Sequence, residues 1–440
     1  MNYFQPLVLG CDETIVAAWD SQVSEMSNVP AVRALIDREG AQLFPRFASS
    51  YARLRALPRG TRRAIERRLR RRCARRGAPE WQPRLAATLA GAALLLALGQ
   101  GASEAATINV TAKAPPGIVD GDGKCSLAEA IVNANDGGAT YADCEAGSGS
   151  GDTIVLPKGT ISLTAVDNDD FGDTGLPVIN TSITIQGNNA KIARSKNAPG
   201  FRLIAVSASG DLTLENVTLT GGDGLGRTRG GAITSYGNVS IIDSIISGNT
   251  AFEGGAVFIE NGSLTITNSV ITKNVANYGG GITNYSGVMT MTNSTVSKNK
   301  ALLYHGNPSF GGGLLSTTAQ NTITGSLITG NSASKGGGLA VYGATVVSNS
   351  TISKNSATDK GGGIYNGDAL TVNNGTISGN KADTGGGVSN RGAFTLNGGT
   401  ITKNTAASYG GGVDTSGGGV FTNNGTVSGN KAPVGADTYT

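Results

Sequence analysis

Histidine occurs once in 440 residues, as His305. A metal centre built on His and Cys needs more ligands than that, so no metal and no cofactor is expected. Cysteine occurs four times, and only Cys125 and Cys144 fall in residues 106–440. The uncharged, mostly apolar run at 85–99 is 15 residues long, short of the roughly 20 that a membrane-spanning helix needs. Glycine is abundant, at 67, but follows no Gly-X-Y period, which excludes collagen. Concentrated basic charge is missing from the second part of the chain. Residues 1–105 hold 16 Lys/Arg and 9 Asp/Glu, a net +7, and residues 106–440 hold 19 and 22, a net −3. An excess of basic charge points to nucleic acid. Here it belongs to the leading segment, so no nucleic-acid partner is expected.

That leading segment has the layout of an export signal. Residues 62–76, RRAIERRLRRRCARR, contain nine Arg, and the apolar run LAATLAGAALLLALG follows at 85–99. Ser103-Glu104-Ala105 then places small residues at −3 and −1, so cleavage is expected before Ala106. The expected organisation is an Arg-rich helical extension at 1–84, a signal region at 85–105, an N-terminal cap at 106–150 and a repeat domain at 151–440. A secreted or cell-surface location follows. Membrane contact is expected only through this segment, as a signal or as an uncleaved anchor. Outside the cell, Cys125 and Cys144 are expected to form a disulfide rather than two free thiols, a cross-link worth about 3 kcal/mol for a loop of this length.

The glycines fall at a fixed interval, and the interval reveals the fold. Gly-Gly-x-aliphatic recurs from Gly230, Gly254, Gly279, Gly311, Gly336, Gly361, Gly385 and Gly410. A second marker, an aliphatic residue followed two positions later by a short residue or Lys and then Asn, ends at Asn249, Asn274, Asn299, Asn331, Asn355, Asn380, Asn404 and Asn430. The Gly marker keeps a period of 24–25 residues and the Asn marker one of 24–26, each with one longer step of 32. Within a copy there are three short apolar pulses, such as Ile364, Leu370 with Val372, and Ile377. None is long enough for a helix, and each is bounded by Gly, Asn or Ser. One such turn cannot bury its apolar face, but stacked turns can. The fold expected is therefore all-β: a right-handed parallel β-helix, a three-strand solenoid of about 11 turns, eight of them regular. The hand follows from the strong preference of parallel crossovers. Gly and Asn at the markers suit turns with positive φ, and Asn in register can hydrogen-bond along the stack.

Residues 125–137, CSLAEAIVNANDG, read as a short helix with Leu127, Ala130 and Ile131 on one side, followed by Gly. A helix here would cap the exposed end of the solenoid. Cys125-Ser126-Leu127-Ala128-Glu129-Ala130-Ile131 resembles the CSLREA-type motif near the start of many exported bacterial β-helix proteins, with Ala128 in place of the usual Arg. The two repeat markers are similar to those of polymorphic outer membrane proteins, which are surface adhesins, with Ile or Val where those proteins usually have Phe. The resemblance implies a pectin-lyase-like β-helix with a structural or adhesive role. The repeats run up to Thr440, so the C-terminal membrane barrel of those adhesins is not expected within this sequence.

An enzymatic role is the competing reading, as a polysaccharide lyase or hydrolase. The Gly-His-Gly of polygalacturonase-like enzymes is absent, because His305 stands in Tyr304-His305-Gly306. A lyase would need clustered carboxylates and a base, and the best cluster is Asp223, Arg227, Arg229 and Glu253. Ice binding would need a regular flat array of threonines, and the spacing of Thr varies between copies, so that role is set aside. A partner surface is expected elsewhere. The residue before each Gly pair forms one column: Arg229, Glu253, Tyr278, Phe310, Lys335, Lys360, Thr384 and Tyr409. The one large insertion, between Asn299 and Gly311, falls in the same column and brings Tyr304 and His305 beside Phe310. Exposed aromatics beside cations suit a glycan or a cell-surface partner. The expected contact residues are Tyr278, Tyr304, His305, Phe310, Lys335, Lys360 and Tyr409.

Overall fold

The computed structural model describes residues 105–440, and for 225–227 the backbone alone. The Arg-rich extension and the export segment through Glu104 lie outside the described residues. The short apolar pulses form strands that pair in parallel with their copies one turn away. Ile282–Asn284, for example, lies between Val257–Ile259 and Leu314–Ser316. The strands assemble into three sheets of 19, 10 and 8 strands, a right-handed parallel β-helix. Stacking turns Val257, Ile282, Leu314, Leu339, Ile364, Val388 and Val413 into one unbroken column of the core.

Two details differ from the sequence reading. The turns number about ten, as the ten-stranded sheet shows, rather than eleven. The upstream strands Asp152–Val155 and Thr160–Leu163 both pair with Ser182–Arg194 and so belong to one turn. The second and third pulses also do not mark separate faces. Ala369–Asn373 and Thr376–Ser378 both belong to the nineteen-stranded sheet, bent between them at Asn374, whose φ is +51°. The third face is the eight-stranded sheet. Its buried apolar residues are alanines, Ala251, Ala276, Ala301, Ala333, Ala357, Ala382 and Ala406, too small to register as an apolar pulse.

The recurring asparagines form a buried ladder. Each Nδ2 donates to the Oδ1 of the next Asn at 2.9–3.1 Å, and each backbone N–H donates to that same oxygen at 2.9–3.0 Å. The other Nδ2 hydrogen goes to a strand carbonyl of the preceding turn, as from Asn299 to Ile271. The run ends where Asn430 donates to Asp437 Oδ1. The left-handed backbone at this corner is not taken by Asn. The residue before it has the positive φ: Gly in half of the copies and Lys273, Lys298, Lys354 and Lys403 in the rest. The Asn side chain is needed inside, so the strained position shifts by one.

At the N-terminal end the strand Thr107–Asn109 pairs with Asp152–Val155, and the helix Leu127–Asp136 covers the open core. Leu127, Ala130, Ile131 and Ala134 join the same apolar cluster as Ile108 and Ile154. Ser126 and Glu129 close a capping box at the start of the helix, an arrangement that satisfies two otherwise orphaned donors. Glu129 is fully buried and also accepts from Val119 N at 2.8 Å. Cys125 and Cys144 are joined by a disulfide. Asp152 is equally buried and accepts from Ala106, Ser148 and Gly149 amides, which ties the cap to the first strands.

The threonines are more regular in space than along the chain. On the outer face of the nineteen-stranded sheet, Thr265, Thr290, Thr322, Val346, Thr371, Thr395 and Thr422 share one column. Thr267, Thr292 and Thr324 share a second, and Thr351, Thr376, Thr400 and Thr426 a third. The uneven sequence spacing comes from insertions elsewhere in the turn, such as the one between Ala301 and Phe310, which leave this face in register.

Candidate binding groove on the ten-stranded sheet

The outward-facing residues of the ten-stranded sheet form a floor: Ala205, Thr234, Phe258, Thr283, Leu315, Ala340, Tyr365, Ser389 and Asp414, in register from turn to turn. All are buried although they point away from the core, because side chains on both flanks lean over them. One flank is the column before the Gly pairs. Arg229, Glu253, Tyr278, Phe310, Lys335, Lys360, Thr384 and Tyr409 are each paired with the next. The opposite flank follows each strand and includes Tyr236, Glu260, Tyr285, Tyr342 and Arg391.

The middle of this groove is aromatic. Tyr278 and Phe310 stack at 6.4 Å, and Phe310 reaches Tyr342 at 5.9 Å and Tyr365 at 6.4 Å. Tyr342 and Tyr365 meet at 5.7 Å. Lys335 lies over Phe310 at 5.5 Å and over Tyr365 at 5.8 Å, and reaches Asp359 at 3.7 Å. Burial, with Tyr365 beside it, holds the Tyr342 hydroxyl above the ordinary tyrosine range, so it stays a neutral donor. Tyr285 is 43% exposed and Tyr342 37%, so their rings are open to a ligand. Tyr304 packs edge-on to Phe252 at 4.9 Å with His305 against it at 4.3 Å, beside the strip rather than within it. Lys360 continues the column next to Lys335. Tyr409 lies two turns beyond Lys360 and rests on Tyr439 at 4.7 Å.

The residues weighed as catalytic do not form one site. Asp223 and Arg229 stand at opposite ends of one strand. Asp223 pairs with Arg194 at 3.5 Å. Arg229 reaches Glu253 and Glu260, each at 3.1 Å, and lies 4.7 Å over Phe258 and 5.9 Å over Tyr285. Burial pushes the Glu253 carboxyl up and Arg229 opposes it. Their contact is an ion pair by distance, without the alignment of a hydrogen bond. The side chain of Arg227 is not among those described. Each described carboxylate in the cluster is held by an arginine, which suits a bracing role more than proton transfer.

Tyr285, Tyr342, Tyr365, Phe258 and Arg391 were not singled out from the sequence. A signal for the second flank exists. Tyr236, Glu260, Tyr285, Tyr342 and Arg391 each stand six residues after the first Gly of their copy, the same phase argument applied to another position.

No protein-family model matches the sequence, and no curated protein matches it. Among solved structures, the A-module of a mannuronan C-5 epimerase from Azotobacter vinelandii is similar over 71% of this chain and 93% of that module, at 13% identity and a TM-score of 0.33. A likeness of that size carries no chemistry across, and the fold stands on the strand register of the chain itself.

Proposed function

We propose that the protein is a secreted or cell-surface β-helix with an adhesive role, and that the groove holds a glycan along the solenoid axis. The observation that carries this reading is the aromatic strip of Tyr278, Phe310, Tyr342 and Tyr365 with Lys335 laid over its rings. Aromatic faces stack on the apolar faces of sugar rings, and a rigid scaffold presents them without an ordering cost. Turns stand about 4.8 Å apart, so a chain of sugars can follow several turns. Exchange of Tyr285 and Tyr342 for alanine is expected to weaken glycan binding at least tenfold, with only a modest fall in thermal stability because each ring is open to solvent on one side. Calorimetric titration of oligosaccharides against both forms checks this, and equal affinities would sink the groove.

A second reading rests on the threonine columns. The first two columns share one strand segment and present a regular, uncharged, hydroxyl-bearing face that suits a periodic solid such as ice. The expected result is measurable thermal hysteresis that disappears in Thr290→Lys with Thr322→Lys. Its absence from the unaltered protein would leave the columns a purely structural feature.

A further inference from the structure

The groove begins, at its N-terminal end, over a buried cation. Arg202 is only 2% exposed, yet no ion pair reaches it among the described residues and its Nε has no hydrogen-bond partner. The hydroxyls of Thr228 and Thr234 are buried and unpaired as well. Burial lowers the guanidinium to about 10, opposed only by Tyr236 and Asp173. A buried charge without a counterion is costly, and unsatisfied buried polar groups in a well-formed fold call for an explanation.

What buries Arg202 is a small hairpin. Asn168 pairs with Thr174 in antiparallel fashion, Asp167 N donates to Thr174 O at 2.7 Å and Gly172 N to Asp169 O at 2.9 Å. The hairpin sits against Arg202 through Gly172: a side-chain carbon there would come within 3.0 Å of Arg202 Nη2 and 3.5 Å of Thr228 Cγ2. Its tip is held by Phe171, stacked on Tyr236 at 5.1 Å. It carries Asp167, Asp169, Asp170 and Asp173, and of these Asp173 acts on the guanidinium without closing an ion pair among the described residues.

We propose that residues 167–174 are a lid over an anion site at Arg202, and that the site takes the carboxylate of an acidic sugar. The inference rests on the reading of the groove as a glycan site. Tyr236, on which the tip of the hairpin stacks, belongs to the flank of the groove, so an occupant of the Arg202 site lies at the N-terminal end of that groove. A carboxylate is planar and accepts side-on from Nε and Nη2 together. The aspartates of the lid occupy the same field and are displaced when the ligand arrives.

The test uses the full chain with two probes of equal length, an oligoglucuronate and a neutral oligoglucoside, titrated calorimetrically. The acidic probe is expected to bind at least tenfold more tightly. Arg202→Gln removes that preference, and Arg202→Lys, which keeps the charge but cannot offer two parallel donors, reduces it even if the glutamine variant folds poorly. Phe171→Ala frees the lid and raises affinity for the acidic probe several-fold. Amide exchange in 167–174 should quicken when the acidic probe binds. Equal affinity of the unaltered protein for both probes overturns the anion site but leaves the groove standing. Failure of both probes to bind overturns both.

Discussion

Asn299→Asp is expected to destabilise the solenoid by about 3–5 kcal/mol at neutral pH, the range for breaking a buried polar network. Asn299 is 1% exposed. Its Nδ2 donates to Ile271 O at 2.9 Å and to Asn331 Oδ1 at 3.0 Å, and its Oδ1 accepts the Nδ2 and backbone N–H of Asn274. Aspartate keeps the accepting side and loses both donors, so two oxygens face a third with nothing between. The carboxyl therefore prefers its protonated form in the folded state, and its pKa rises above the unfolded value of about 3.9. A raised folded pKa gives stability that is present below the unfolded pKa and is lost as pH rises. The penalty is thus smallest below about pH 4 and grows toward neutrality. Stacked repeats can open section by section. Hydrogen exchange in Thr295–Ser297 and Leu327–Thr329 is therefore the measurement to set beside urea unfolding. A loss below about 1 kcal/mol, or one without pH dependence, would contradict the ladder.

Gly312→Ala is expected to cost about 4 kcal/mol or more, in the range of severe backbone conflict. A Cβ at Gly312 would stand 2.3 Å from Gly337 O and 2.6 Å from both N and O of Ser332. All three are backbone atoms of the next turn, so no side chain can move aside. Relief would require the turns to separate, which breaks the bonds from Gly312 N to Gly336 O at 3.0 Å and from Gly313 N to Gly338 O at 2.9 Å. Gly306 is the control. It has φ +78° but nothing within 4 Å, so its alanine variant should lose only about 1 kcal/mol of backbone strain. Thermal midpoints of the two variants decide the matter. Equal midpoints would mean that turn-to-turn contact at the Gly pairs is not what fixes the stack.

The repeat architecture was legible because each turn repeats the same physical problem. Every copy needs an aliphatic residue for the core, an Asn for the corner and Gly where backbones touch, so two markers recur in phase. The flanking column from Arg229 to Tyr409 followed from that phase alone, and the structure pairs its members one by one. The eight-stranded sheet escaped notice because alanine leaves almost no hydrophobic signal. The split of the charged cluster was equally hidden, since Arg194 and Glu260, which hold Asp223 and Arg229, come from neighbouring turns.

Period, strand direction and the identity of core columns are one-dimensional properties, and neighbouring positions in phase carry them. Closure of the aromatic strip across the floor is of another kind. It depends on how far Phe310 and Tyr342 lean toward each other from opposite flanks, and nothing in their spacing says so. The same holds for Arg202. Its burial comes from a hairpin nearly thirty residues earlier, and only the folded chain brings that acidic segment against a buried cation.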